Sequence, residues 1–101
     1  MAMTDFGESR VSDTIVRLHG ALGVSGLTRS EAAGFINRAL RNINCFAMFY
    51  QLRYLEYSYA SMILGSAIFQ LEVSAETDDA TLIASVRRDI RLAYDAVAFN
   101  T

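Results

Sequence analysis

The segment from Ile43 to Val73 restricts this chain more than any other feature. It is apolar nearly all the way round any regular helix drawn through it. A helix of that kind has to be covered on most of its sides, by the rest of the chain or by something else. Arg53 and Glu56 sit near its middle and Glu72 near its end. The uncharged run from Tyr57 to Leu71 is short for the ~20 residues of a membrane span. A soluble chain without a membrane span is therefore expected.

Helix is the favoured reading of this segment. Phe, Tyr, Ile and Val suit strands, and a hairpin turning at Gly65-Ser66 is conceivable. Strict alternation fails, however, at Met62-Ile63-Leu64 and at Ala67-Ile68-Phe69. Alanine, methionine and leucine are frequent, and the whole chain of 101 residues contains no proline. One helix, two helices and a hairpin all stay open for residues 45 to 73. Of these, helices with a break between Ser58 and Ser66 fit best, because one helix from 29 to 73 would be unusually long.

Helical periodicity recurs elsewhere. Val11, Ile15, Leu18 and Leu22 form one stripe, with Ser12 as the expected N-cap and residues 1 to 11 as a flexible leader. Gly23 and Gly26 mark the exit from this helix. Thr28-Arg29-Ser30-Glu31 matches a capping box and predicts the start of a second helix. Phe35, Ile36, Ala39, Leu40, Ile43, Phe46, Ala47, Tyr50, Tyr54 and Tyr57 continue it as one stripe. A last helix is predicted to begin near Thr77-Asp78-Asp79, with Leu82, Ile83, Val86, Ile90, Ala93, Tyr94 and Val97 inward. These elements predict an all-α fold. It is a single domain over residues 1–101, a small bundle of three to four helices around a long, strongly apolar central helix. So small a bundle has little interior, so oligomerisation is expected to complete it.

Few chemistries are open to these residues. His19 and Cys45 are the only histidine and the only cysteine, so a conventional zinc set and a di-iron Glu-x-x-His pair are both missing. A Cys45 nucleophile would need His19 as its base, and no local sequence supports the pair. Packing is the expected role of Cys45, and a place on a helix flank that of His19. No catalytic residue, metal ligand or cofactor site is assigned, and the chain is read as a non-enzyme. One cysteine and the lack of a signal-peptide pattern make the cytoplasm the expected compartment.

Aromatic residues are the remaining signal. Phe46, Tyr50, Tyr54 and Tyr57 recur at helical spacing, Phe49 and Tyr59 extend the aromatic series, and Ile63 follows. Tyrosine offers an apolar body and a polar tip, which suits protein interfaces. The predicted function is a helical assembly or adaptor subunit that buries Phe46, Phe49, Tyr50, Tyr54, Tyr57 and Ile63 against a second copy or another protein. One alternative is a small-molecule or pigment pocket lined by the same aromatics. A second is regulatory nucleic-acid binding through Arg87, Arg88 and Arg91, although a net charge of −2 gives no global pull toward nucleic acid.

Overall fold

The computed structural model describes the backbone of residues 3–100 and the side chains of residues 9–53 and 57–95. Four α-helices follow one another: α1 (Met3–Ala21), α2 (Arg29–Phe49), α3 (Tyr54–Val73) and α4 (Asp79–Asn100). No strand occurs among the described residues.

Short connections dictate the topology. Residues 50–53 can reach at most ~14 Å, whereas a helix of 20 residues is ~30 Å long. Helices that pack along their lengths must then run antiparallel. In the resulting up-down-up-down bundle, α1 packs against α2 and α4, and α3 packs against the same two, while α1–α3 and α2–α4 are the diagonals.

Two helices start at a local cap. Thr28 caps α2: its Oγ1 accepts from the Glu31 amide, and the Glu31 carboxylate accepts from the Thr28 amide. Asp78 caps α4, accepting from the Ala80 amide at 3.3 Å and from the Thr81 hydroxyl at 2.6 Å. The expected start of α1 after Ser12 is corrected, because α1 begins at Met3. Residues 3 to 11 form its first turns, and Val11 within them is fully buried.

The expected break between Ser58 and Ser66 is also corrected. The chain turns earlier, at residues 50–53, and α3 is unbroken from Tyr54 to Val73. The turn is a Schellman motif. The Leu52 amide donates to the Ala47 carbonyl at 2.9 Å and the Gln51 amide to the Met48 carbonyl at 3.4 Å. Gln51 takes the left-handed conformation that this motif requires, with φ 54°. Leu52, next in the motif, is buried. The apolar segment of 43–73 is thus divided between the end of α2 and all of α3, and no single long central helix runs through it.

The core alternates small and large side chains. Along α2 the inward residues are Ala32, Ile36, Ala39, Ile43 and Ala47, and along α3 they are Ala60, Leu64, Ala67 and Leu71. Such alternation lets neighbouring helices approach closely while isoleucine and leucine fill the gaps. Val11, Ile15, Leu18 and Leu22 from the α1 stripe, with Val86, Ile90 and Ala93 from α4, complete it.

Two arginines tie one end of the bundle. Arg29 Nε donates to Asp79 Oδ1 at 2.7 Å, and the same guanidinium donates to the carbonyls of Ser74 and Glu76. Arg87 Nε donates to the His19 carbonyl at 2.9 Å, in space left by Gly23. A Cβ on Gly23 would stand 2.9 Å from Arg87 Nη2.

Candidate functional site: the outer face of α3

α3 has a second apolar face, opposite the one that enters the core. Tyr59, Met62, Ser66, Phe69 and Val73 recur at spacings of three, four, three and four, which places them on one side of the helix. Their large members are open to solvent: Tyr59 is 46% exposed, Met62 62%, Phe69 63% and Val73 59%. None of the five carries a charge. Leu92 of α4, 56% exposed, extends the patch sideways. Between Leu92 and α3 lies a shallow groove of about 340 Å³, lined by Tyr59, Met62, Ile63, Ser66, Asp89 and Leu92.

The outward faces of the other helices are mostly polar. α1 presents Arg10, Asp13 and Arg17, α4 presents Arg88, Arg91 and Asp95, and α2 presents Asn37, Arg38, Arg41 and Asn42 before Met48 and Phe49 become exposed at its C-terminal end. Scattered single hydrophobics on a surface are ordinary, but a contiguous row along a whole helix is not.

The six residues expected at an interface are distributed over both helices. Phe46, Phe49 and Tyr50 belong to the end of α2, while Tyr57 and Ile63 lie on α3. The turn at residues 50–53 interrupts the helical stripe that would have joined them. Phe49 is exposed, whereas Phe46, Tyr50, Tyr57 and Ile63 are half-buried. Phe49 and Tyr50 meet edge to face with ring centroids 4.9 Å apart. The side chain of Tyr54 lies outside the described residues. Ile63 lines the groove on the α3 face, so one expected residue joins the row that exposure reveals. Met62, Phe69, Val73 and Leu92 were not singled out from sequence, and Tyr59 stood there only as the last member of the aromatic series. Their period was present there, but the inward row carries an equally apolar one.

A second groove, of about 320 Å³, runs between α1 and α2. Leu18, Phe35 and Phe46 form its apolar wall, and Arg17, Arg38 and Asn42 contribute the polar side. The Arg38 guanidinium lies over the Phe35 ring at 5.1 Å from its centroid.

Chemistry at His19 and Cys45 is limited by where they stand. His19 is in the last turn of α1, at the end of the bundle where Arg29 meets Asp79, and Cys45 is near the opposite end of α2. They cannot form a nucleophile–base pair at that separation. Cys45, expected in the packing, is exposed, because Ile43 and Ala47 are the residues that α2 turns inward there. Burial holds the His19 pKa below its usual 6.5, and the positive charges of Arg87 and Arg91 push it the same way. No three His, Cys, Asp or Glu residues group as a metal site among the described residues. Among those residues no helix is long and apolar enough to cross a membrane.

Of the arginines expected to contact phosphate, Arg87 is half-buried and bonded to the His19 carbonyl. Arg91 pairs with Asp95 at 3.2 Å and lies over the Tyr94 ring. No protein-family model, curated protein or solved structure matches this chain.

Proposed function

We propose that this protein is a helical assembly or adaptor subunit that docks on another protein surface through the outer face of α3. The observation that carries this reading is the uncharged row Tyr59, Met62, Ser66, Phe69 and Val73, exposed along almost the full length of one helix. Covering such a row releases ordered water and gains roughly 25 cal/mol for each Å² removed from solvent. The polar outward faces of α1, α4 and α2 up to Asn42 would form the solvated remainder of the subunit. The half-buried Ile63 lies at the edge of the docking surface, while Phe46, Phe49 and Tyr50 stand at the end of α2.

A photo-crosslinking residue in place of Met62, introduced in living cells, tests this reading. A crosslinked protein band from position 62, and none from position 17 on the polar face of α1, is the expected result. Position 62 yielding no band above the position-17 control would refute the docking role.

A second reading, small-molecule binding, is favoured by the groove between α1 and α2. Its apolar wall with Arg17 and Arg38 at the side suits an amphiphilic anion. Visible colour or a co-purifying ligand in the isolated protein supports it, and a colourless, ligand-free preparation argues against it.

A further inference from the structure

We infer that the surface covering α3 is α3 of a second copy, packed antiparallel with Ser66 on the two-fold axis. This inference rests on the docking role proposed above and adds to it the identity of the partner and the geometry.

The first argument is the symmetry of the row. Counting outward from Ser66, Tyr59 and Val73 lie seven residues away on either side, and Met62 and Phe69 lie four and three residues away. Turned end for end, the row therefore falls back on itself. Tyr59 meets Val73 of the second copy, Met62 lies beside Phe69, and Ser66 meets Ser66. An isologous interface needs this self-complementarity. The spacing of three and four is also that of helices packed side by side at a small angle.

Shape and charge select the antiparallel direction. Each large side chain opposes a smaller or more flexible one, Tyr59 against Val73 and Phe69 against the thioether of Met62. A parallel pair would stack two tyrosines at one end and two valines at the other, leaving a wedge. It would also bring together the two acidic ends, where Glu72, Glu76 and Asp78 are exposed. Antiparallel packing places those ends at opposite extremes of the dimer. The middle of the row is small: Ser66 is exposed, and its hydroxyl accepts from the Gln70 carboxamide at 3.4 Å. A short side chain at this point leaves room for Ser66 of the second copy across the axis.

The area reaches the scale of a small interface. Five large side chains, each about half exposed, hold on the order of 500 Å² of apolar surface per copy. Two copies bury at most about 1,000 Å² between them, which sits at the threshold of a specific interface and suits a weak, concentration-dependent dimer. In such a dimer α3 has both of its faces covered. That accounts for a helix apolar in two opposite directions, which the isolated bundle does not.

Light scattering on a sizing column, with Cys45→Ser protein to remove the exposed thiol, gives the mass. The expected value is twice 11.2 kDa at micromolar concentration. Ser66→Arg, which sets two guanidinium groups on the axis, is expected to return it to 11.2 kDa with unchanged helicity. Tyr59→Cys and Val73→Cys, each in the Cys45→Ser background, then report direction. Mild oxidation should crosslink a mixture of the two and neither alone. A monomer up to about 100 μM overturns the second copy. A dimer in which each variant crosslinks to itself, or in which the mixture does not crosslink, overturns the antiparallel geometry. A crosslinked band from position 62 in cells at a mass other than that of two copies, combined with a purified monomer, would sink this inference and leave the docking role standing.

Discussion

The backbone amide and the guanidinium Nε of Arg29 both donate to the carboxylate of Asp79, at 3.2 and 2.7 Å, so the first residue of α2 is held by the first residue of α4. The same arginine reaches the carbonyls of Ser74 and Glu76 in the connection between α3 and α4. One side chain thereby joins the start of α2 to the end of α3 and the start of α4. Lysine could not replace it, because a single ammonium cannot follow the planar fork across these acceptors.

Acid should loosen this clasp in a defined direction. The hydrogen bonds from Arg29 hold the Asp79 carboxyl below its usual 3.8. The unfolded chain therefore takes up this proton first as the pH falls. The stability that Asp79 contributes is complete above the ordinary carboxylate range and is lost as the pH drops through the folded pKa. Urea unfolding between pH 7 and pH 2 should show a shallower acid limb for Asp79→Asn, together with lower stability at neutral pH. Parallel curves for the parent and Asp79→Asn would show that the pair contributes nothing.

His19 should add a step at higher pH. Its folded pKa lies below 6.5 because of burial and the nearby charges of Arg87 and Arg91. The unfolded state again binds the proton first, so stability falls as the pH passes down through about 6.5 and levels off below the folded value. An NMR titration of the single imidazole should give a midpoint below 6.5, and His19→Gln should remove the step. A midpoint at or above 6.5 would contradict the described surroundings of this side chain.

Gln51 is expected to be improvable. Its φ of 54° places a side chain in the left-handed region, which costs about 1–2 kcal/mol for a residue with a Cβ. Glycine removes that cost and adds part of it back as unfolded-state entropy. Gln51→Gly should therefore stabilise the protein by about 0.5–1 kcal/mol in urea unfolding. Gln51→Val, which tolerates this backbone less well, should destabilise it. If glycine proves neutral or harmful, the Schellman turn is not strained at this position.

The same residue shows where sequence reading stopped. The caps at Thr28 and Asp78 were legible because their hydrogen bonds close within three residues. The α1 stripe was legible because Val11, Ile15, Leu18 and Leu22 differ sharply from their neighbours. Nothing at positions 50 to 53 resembles a helix stop: glycine, proline and asparagine are all missing, and the left-handed turn falls on glutamine. The bonds from Leu52 and Gln51 back to Ala47 and Met48, with burial of Leu52, hold the turn instead. Ser12 misled in the opposite way. It resembles a cap, but the helix runs through Gly7 and past it, and Val11 belongs to the core. The α3 face was hidden for a third reason. Ala60, Leu64, Ala67 and Leu71 form one apolar row and Tyr59, Met62, Phe69 and Val73 another, and periodicity cannot say which of two apolar rows faces inward. The aromatic series drew attention to residues 46 to 57, where the chain in fact turns a corner. Arg29 meeting Asp79, 50 residues away, had no local signature.

Replacing Leu64 and replacing Phe69 should separate the two faces of α3. Leu64 is fully buried, so Leu64→Ala leaves a cavity and should cost about 2–5 kcal/mol at any protein concentration. Phe69 is mostly exposed, so Phe69→Ser should change the stability of the single subunit by no more than about 0.5 kcal/mol. Its effect should fall on association. A protein that is stabilised by binding a partner subunit melts at a temperature that rises with concentration. Thermal unfolding at two concentrations an order of magnitude apart should show this rise for the parent and for Leu64→Ala, the latter from a lower base. Phe69→Ser should show none. Comparable losses in the two variants at low concentration would mean that Phe69, too, is part of the core, and that the outer face of α3 has been assigned to the wrong side of the helix.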